Sequence, residues 1–266
     1  MVSWLPEANV AIAQVAATGP DELQVAAVSM EPGPNPAANL ADLTAWAETV
    51  AGSHPDVDVI AFGETILGRW YEPVDPERYQ RRVAQPIPGP ATDVAGRVAA
   101  RLNTHIVFGM AEAGPNGALF NSYVLIGPSG HVIATHRKVN LTQEDVRSGF
   151  SPGAGPTVAQ VSGVPVALLI CADADSPAVV AETARLRPRL ILQGLATSLQ
   201  GEQTPRYDPV ARATGAWLVF TNRTGAEGHL AYSGYSFVAD PMGAHLAEHS
   251  AGEGYLYAAI PIHAES

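Results

Sequence analysis

The sequence predicts an α/β fold with mixed sheets, and three features lead to that prediction. Short apolar segments rich in Val, Ile and Leu alternate with helical patterns along most of the 266 residues. Several of these segments are apolar at consecutive positions, which is typical of strands in sheets covered on both faces. A turn at Pro128-Ser-Gly130 joins two of them as a hairpin, so antiparallel pairs are expected beside parallel ones.

Ten segments are predicted to be strands because they are apolar, rich in branched or aromatic residues and bounded by Gly, Pro, Asn or Asp. They span residues 23–30, 57–62, 105–110, 122–126, 131–135, 164–170, 190–192, 217–221, 235–238 and 256–260. No linker rich in Pro, Gly and Ser divides them. We therefore expect residues 23–266 to form one domain, preceded by an N-terminal extension of residues 1–22.

Four helices are predicted between the strands. The first begins at Asn35-Pro36, because Asn is a good N-cap and Pro is favoured at the first helical position, and it ends at Gly52. Three others have apolar residues at helical spacing or a Ser-Pro start: one through Val94, Val98 and Leu102, one from Ser176-Pro177, and one from Pro209 to Gly215.

Composition and charge exclude several classes of protein. The chain has 15 basic and 26 acidic residues, a formal net charge of −11, which disfavours binding to nucleic acid and to anionic membranes. Its apolar runs are too short to span a membrane. Residues 1–23 contain no Lys or Arg, unlike the basic start of a secretory signal, so the sequence predicts a cytoplasmic protein.

Cys171 is the only cysteine, and it directly follows the apolar segment 164–170. A lone cysteine forms no intramolecular disulfide and builds no zinc site by itself. A thiol at the end of a strand is suited to nucleophilic attack, but free cysteine is also often a buried apolar residue. Position alone leaves both interpretations open.

Glu64 and Lys138 also follow predicted strands, as Cys171 does. In isolation Glu64 is equally well explained as a turn cap, and a Lys after Arg137 is usually solvated surface. Three reactive groups at the carboxyl ends of three core strands are the arrangement expected of a site at the edge of an α/β sheet. The coincidence favours a catalytic interpretation of all three.

These residues occur in contexts that resemble the carbon–nitrogen hydrolase (nitrilase) superfamily, over roughly residues 23–260. The resemblance rests on the order and spacing of seven segments: 59–64 (VIAFGE), 108–112 (FGMAE), 119–123 (LFNSY), 130–138 (GHVIATHRK), 168–173 (LLICAD), 216–223 (AWLVFTNR) and 240–243 (DPMG).

The resemblance implies a four-layer α-β-β-α sandwich that assembles as a homodimer or larger homo-oligomer and needs no metal or organic cofactor. It implies a catalytic set of Glu64, Lys138 and Cys171, with Lys138 and the backbone N–H of Ala172 as donors to an oxyanion. Glu144 is the best match to a second catalytic glutamate of many members. The adjacent Asp145 is an alternative, and a solvated loop acid is a third interpretation of Glu144.

Departures from the family pattern lead to an expectation about the substrate. Nitrilases usually have Trp-Glu after the cysteine, whereas Ala172-Asp173 stands here and favours amides over nitriles. Asp175 occupies the place where members that bind carboxylates often have arginine, so we expect a neutral or cationic amide. The expected substrate-binding residues are Asp175 together with three aromatic pocket walls: Trp70, Tyr71 and Phe150.

Other functions compete with this prediction. Within the enzyme class they are hydrolysis of N-carbamoyl amines or amino acids, and hydrolysis of nitriles. A thiol–imidazole pair would need His229 or His245, but neither has a recognisable context. The histidines form no metal motif, and Walker, dinucleotide and Gly-x-Ser-x-Gly motifs are absent from the sequence. A non-catalytic binding or scaffold sandwich is the alternative outside enzymes.

Overall fold

The computed structural model describes residues 9–13, 22–199 and 207–262. Strands alternate with helices as the sequence predicts, and all four predicted helices are present. The strands are β1 Asn9–Ala13, β2 Glu22–Ser29, β3 Val59–Phe62, β4 His105–Ala113, β5 Leu119–Ile126, β6 Val132–Arg137, β7 Thr157–Val161, β8 Val164–Ile170, β9 Leu190–Leu195, β10 Trp217–Asn222, β11 Thr224–Glu227, β12 Leu230–Ser233, β13 Ser236–Ala239, β14 His245–His249 and β15 Gly254–Pro261. The helices are α1 Pro36–Ser53, α2 Pro76–Val83, α3 Pro90–Leu102, α4 Gln143–Arg147, α5 Pro177–Arg185 and α6 Asp208–Thr214.

Local sequence explains where the helices start. The side chain of Asn35 accepts a hydrogen bond from the backbone N–H of Ala37, and Pro36 follows as the first residue of α1. Ser176 caps α5 in the same way, with Pro177 next. Two short helices, α2 and α4, were not predicted, because eight and five residues are too few to show a clear apolar period.

Two mixed sheets form the centre of the protein. The first has the strand order β1-β15-β2-β3-β4-β5-β6, and the second has the order β14-β13-β10-β9-β8-β7. Parallel pairs such as β2–β3 and β8–β9 sit beside antiparallel pairs such as β5–β6. The predicted hairpin at residues 128–130 is the β5–β6 connection. A separate two-stranded ribbon, β11–β12, lies outside both sheets.

Three apolar cores separate four layers. Alternate residues of β2 point to opposite faces, so Val28 packs with Trp46 of α1 while Val25 faces the second sheet. The middle core, which includes Val25 and Leu168, joins the two sheets. A third core packs α5 and α6 on the outer face of the second sheet, against residues such as Leu169. The result is the α-β-β-α sandwich that the resemblance implies.

The N-terminal extension is partly built into the first sheet. Residues 9–13 form β1, which pairs in parallel with β15 from Asn9↔Gly254 to Ala13↔Ala258. The rest of the extension, residues 1–8 and 14–21, lies outside the described residues. No helix among the described residues is long and apolar enough to cross a membrane.

Candidate active site

Glu64, Lys138 and Cys171 meet where strands of the two sheets end. Glu64 follows β3 and Lys138 follows β6 in the first sheet, whereas Cys171 follows β8 in the second. Lys138 Nζ lies 2.8 Å from Glu64 Oε1, and both side chains are fully buried. Cys171 is partly exposed and lies within electrostatic range of both groups. The structure therefore brings together the three residues that the sequence analysis selected.

Close backbone packing joins the sheets beside Glu64. The N–H of Glu64 donates to the carbonyl of Leu195 at the end of β9, 3.2 Å away. A Cβ at Gly63 would lie 2.8 Å from the backbone N of Arg223 and 2.9 Å from the Leu195 oxygen. Glycine at position 63 thus lets the Glu64 strand pass directly against the second sheet.

The second carboxylate of the site is Asp145, and this corrects the placement expected for Glu144. Asp145 Oδ2 lies 2.7 Å from Lys138 Nζ, with both side chains fully buried. Glu144 instead points outward and pairs with Arg147 at 2.9 Å, in partial contact with solvent. Adjacent residues of a helix point in directions about 100° apart, so only one of the two acids reaches the interior.

A capping box aims Asp145 at the lysine. Thr142 is the N-cap of α4 and accepts from the N–H of Asp145, while Asp145 Oδ2 accepts from the Thr142 N–H at 2.9 Å and from Thr142 Oγ1 at 2.8 Å. The signal for this arrangement, Thr-x-x-Asp, is present in the sequence. The box orients the carboxylate relative to α4, whereas the packing of α4 decides that it faces Lys138.

Two further donors, neither assigned such a role from sequence, complete the cluster. Asn121 Nδ2 lies 2.7 Å from Glu64 Oε1 and 3.2 Å from Asp145 Oδ1, so it bridges the carboxylates. Trp70 Nε1 donates to Asp145 Oδ1 at 3.0 Å. In the described part of the chain Glu64 Oε2 has no hydrogen-bond partner. One oxygen of Glu64 is thus held in place, and the other is unengaged.

The charges of the cluster set its protonation. Burial raises the pKa of Glu64, although the Lys138 charge partly offsets this effect. Burial alone would lower the pKa of Lys138, but the charges of Glu64 and Asp145 raise it well above its ordinary value. Asp145 is also desolvated, yet Lys138 and the Thr142 donors bring its pKa below the usual value. These directions favour the charged forms of Lys138 and Asp145 and make Glu64 the carboxyl group best able to gain a proton.

Cys171 rests as a thiol rather than a thiolate. Although the residue is partly exposed, desolvation of the thiol by the surrounding protein raises its pKa; the Glu64 charge adds to this rise, and Lys138 opposes it without reversing it. Two carboxylates against one ammonium leave the cluster with a net negative charge. Removal of the thiol proton therefore requires a base at the moment of attack, and proximity of Lys138 does not suffice.

A strained turn presents the nucleophile. Cys171 has φ of 40° and begins a short 3-10 turn, Cys171–Asp175. Such a backbone conformation is unfavourable for residues other than glycine and persists where surrounding contacts hold it. Here the carbonyl of Cys171 accepts from Gln193 Nε2 at 2.9 Å, and the carbonyl of Ala172 accepts from Asn140 Nδ2 at 2.6 Å.

Asp173 ties this turn to the strand end that carries Lys138. Its carboxylate accepts from the N–H groups of Val139, Asn140 and Ile170 at 2.9 to 3.0 Å. The other contact is His136 Nε2, 2.8 Å away and fully buried. Asp173 thereby sets the spacing between the backbones of the lysine and the cysteine. Sequence reasoning used Asp173 only as a departure from the nitrilase pattern and missed this role.

The predicted pocket residues are found in three different places. Trp70 and Tyr71 pack with Ala196 and Tyr232 in one buried aromatic cluster, and the Trp70 ring centre is 5.9 Å from Lys138 Nζ. Phe150 packs instead with Leu119 in a separate apolar cluster.

Asp175 is exposed at the end of the cysteine turn, where its charge adds to the negative field at the thiol. His245 is engaged by Asp208 and Glu248, and His229 contacts the edge of the Tyr71 ring. The contacts made by these two histidines do not support a thiol–imidazole pair.

Known proteins are similar to this chain in sequence. A sequence model of the carbon-nitrogen hydrolase family matches residues 24–264. An (R)-stereoselective amidase from a Pseudomonas species is 30% identical over 216 residues, 78% of this chain and 74% of the relative.

Solved structures share the fold. A crystal structure of an amidase from Nesterenkonia has a TM-score of 0.79 at 24% identity, covering 92% of this chain and 93% of that one. One form of the Nesterenkonia amidase carries the acetamide moiety of fluoroacetamide on its active-site cysteine. Nit3 of Saccharomyces cerevisiae, of the nitrilase superfamily, has a TM-score of 0.80 at 21% identity and covers 91% of this chain and 90% of its own.

Proposed function

Because this chain belongs to the carbon-nitrogen hydrolase family, we propose that it hydrolyses a small neutral or cationic amide to a carboxylic acid and ammonia through a thioester on Cys171. The observation that carries the proposal is the state of Glu64. Its Oε1 is engaged by Lys138 and Asn121, whereas its Oε2 is buried and has no partner among the described residues. A fixed carboxylate with one unengaged oxygen near a thiol is suited to act as a general base.

Acylation begins with proton transfer from Cys171 to Glu64. The sulfur attacks the amide carbonyl, a C–S bond forms, and the carbonyl oxygen becomes an oxyanion. The Lys138 ammonium and the N–H of Ala172 are the donors that we assign to this oxygen. Loss of one such donor typically costs about 3–4 kcal/mol of transition-state stabilisation.

The remaining steps return every group to its starting state. Glu64 gives its proton to the amide nitrogen, the C–N bond breaks, and ammonia leaves a thioester on Cys171. Glu64 then takes a proton from water as the water oxygen attacks the thioester. The second tetrahedral intermediate breaks its C–S bond, and the proton on Glu64 returns to the sulfur as the acid departs.

The ion pair between Lys138 and Asp145 supports this division of roles. Asp145 balances the lysine charge at 2.7 Å, so Lys138 stays protonated while Glu64 gains and loses a proton. The raised pKa of Glu64 and the raised pKa of Cys171 are both compatible with transfer between them, since neither group is held strongly in its charged form.

The proposed preference for neutral or cationic amides rests on the negative field of the site. Glu64, Asp145 and Asp175 contribute negative charge around Cys171, against which Lys138 is the counter-charge. An anionic acyl group would add to this repulsion. If kinetics favour a dicarboxylate monoamide over a neutral amide of similar size, the preference is wrong.

The test of the reaction is ammonia release from a panel of amides, nitriles and carbamoyl compounds, before and after alkylation of the thiol. Release from amides alone, abolished by alkylation and by Cys171→Ala, is the expected result. Carbon dioxide released together with ammonia would identify the carbamoyl alternative. Full turnover by Cys171→Ala would overturn the mechanism, and no turnover of any compound would support a binding protein.

Assembly and location are separate proposals. We infer that the protein forms a homo-oligomer, as its family resemblance implies. Small apolar residues exposed between α5 and α6, among them Ala181 and Ala213, support this inference. Light scattering on the purified protein tests it, and the mass of a single chain would exclude it. The cytoplasmic location expected from the sequence is tested by cell fractionation.

A further inference from the structure

A second buried ion pair lies behind the active site, outside the catalytic set. Arg223, just after β10, places Nη2 2.5 Å from Glu227 Oε1, and both side chains are almost fully buried. Removing two charges from water costs several kcal/mol per ion before their attraction offsets it. A pair of this kind is therefore weak evidence for stability, and its other contacts indicate what it does.

Glu227 holds the backbone of the segment that follows Glu64. Its Oε2 accepts from the N–H of Trp70 at 3.1 Å and of Tyr71 at 2.8 Å, and from Tyr232 Oη at 2.7 Å. With Arg223 on Oε1, both oxygens of Glu227 are engaged. Glu227 is thus unsuited to proton transfer, in contrast to Glu64 with its unengaged Oε2.

Arg223 holds the beginning of the same segment. Its Nη1 donates at 3.3 to 3.4 Å to the carbonyl and hydroxyl oxygens of Thr65 and to the carbonyl of Gly68. Thr65 has a positive φ of 46°, which is strained for a threonine. The ion pair therefore fixes residues 65–71 at both ends, and this segment joins Glu64 to Trp70.

Trp70 transmits this placement to the catalytic ion pair. Its indole Nε1 donates to Asp145 Oδ1 at 3.0 Å, and Asp145 Oδ2 lies 2.7 Å from Lys138 Nζ. We propose that Glu227 is a positioning residue for the amidase reaction, acting through Trp70 on the Asp145 carboxylate and so on Lys138. The proposal rests on the proposed function of the site and adds a residue 157 positions away from Trp70 in the sequence.

The experiment uses Trp70→Phe, Glu227→Gln and Asp145→Asn, alone and in pairs, in the full-length protein. Trp70→Phe keeps an aromatic ring but removes the donor to Asp145. Glu227→Gln keeps the size of the side chain but removes the charge that pairs with Arg223. Glu72→Gln is the matched control, because Glu72 directly follows the same segment and its partner is the partly exposed Arg69 rather than Arg223.

We expect Trp70→Phe and Glu227→Gln each to lower kcat by about 10- to 100-fold, the range for loss of a hydrogen bond to a charged group. KM should change far less, since Trp70→Phe keeps an aromatic ring at the expected pocket wall and Glu227→Gln keeps the size of its side chain. Neither substitution should lower kcat further in the Asp145→Asn background, because both act through that carboxylate. Glu72→Gln should leave kcat unchanged.

A second measurement needs no amide turnover. Asp145 contributes to the raised pKa of the Cys171 thiol, so a displaced carboxylate raises it less. The pH dependence of the rate at which methyl methanethiosulfonate modifies Cys171 should therefore shift to lower pH in Trp70→Phe and Glu227→Gln, as in Asp145→Asn. The shift is expected even if no amide is a substrate, which separates this proposal from the proposed function.

Several results would overturn the proposal. One is a folded Glu227→Gln protein with wild-type kcat and a wild-type pH profile of thiol modification. Another is full additivity of Trp70→Phe or Glu227→Gln with Asp145→Asn, which would indicate a general structural role. If Glu227→Gln does not fold, Trp70→Phe decides: an unchanged kcat and thiol profile there would exclude transmission through the indole.

Discussion

Replacing Asp145 by Asn tests which acid is the second carboxylate of the site. At 2.7 Å, opposite unit charges attract by about 6 kcal/mol at an effective dielectric constant of about 20. Breaking one side of a buried pair typically costs about 3–5 kcal/mol of stability. Lys138 would then pair only with Glu64, and its displacement from the oxyanion position should lower kcat by about 100-fold.

The matched control is Glu144→Gln, one residue away. Its partner Arg147 is about half exposed, and the pair spans one helical turn at the surface, so its loss should cost about 0.5 kcal/mol or less and leave kcat unchanged. Urea unfolding measures the stability of both variants, and steady-state ammonia release measures kcat.

The pH profile of Asp145→Asn has a defined direction. The charge of Asp145 contributes to the raised pKa of Glu64, so its removal lowers that pKa. The acid limb of kcat/KM should therefore move to lower pH, because Glu64 must be unprotonated to accept the thiol proton. Wild-type kcat in Asp145→Asn together with a large loss in Glu144→Gln would refute this reasoning.

Three further predictions follow from the same geometry. Glu64→Gln should lower kcat by about 10²–10⁴-fold, as loss of a general base does, while Cys171 remains open to thiol reagents; near-normal turnover would exclude Glu64 as the base. In the wild type, kcat/KM should fall as the pH drops through the Glu64 pKa, which burial raises, so an acid limb at or below the ordinary glutamate value would contradict the assignment. Gly63→Ala should lower the free energy of unfolding, measured in urea, by about 1–3 kcal/mol, because the new Cβ would lie 2.8 Å from the backbone nitrogen of Arg223. Gly52→Ala is the control, since Gly52 has open space around it. Equal stability of the two variants would contradict the packing argument.

The sequence predicted elements best where local chemistry is strong. Segment 164–170 coincides with β8, and the Asn35-Pro36 start coincides with the cap of α1. Five strands were not predicted: β1, β7, β11, β12 and β14. Each has only four or five residues and includes polar or small ones, as in Thr224–Glu227. Such segments become strands through pairing with partners that are distant in sequence or placed by a turn.

Sequence reasoning located the site but not all of its contacts. A strand followed at once by a Glu, a Lys or a Cys is visible along the chain, and the carboxyl ends of strands are where α/β folds place their chemistry. Nothing along the chain shows that Asn121 bridges two carboxylates, or that Trp70 donates to Asp145. Those contacts join residues 24 to 75 positions apart, and only tertiary packing decides them.

The sequence by itself therefore determined the fold class, the one cysteine and the residues that meet it, because these depend on local patterns and their order. The tertiary structure decided which of two adjacent acids faces Lys138, whether the thiol rests protonated, and which side chains hold the cluster. The physical reason lies in the packed interior. Packing decides which group a helical side chain faces, how far each charge is removed from water, and which other charges lie near it. Asp145 and Cys171 illustrate the two contributions. Each residue is visible in the sequence, but its protonation and its partners depend on the packed interior.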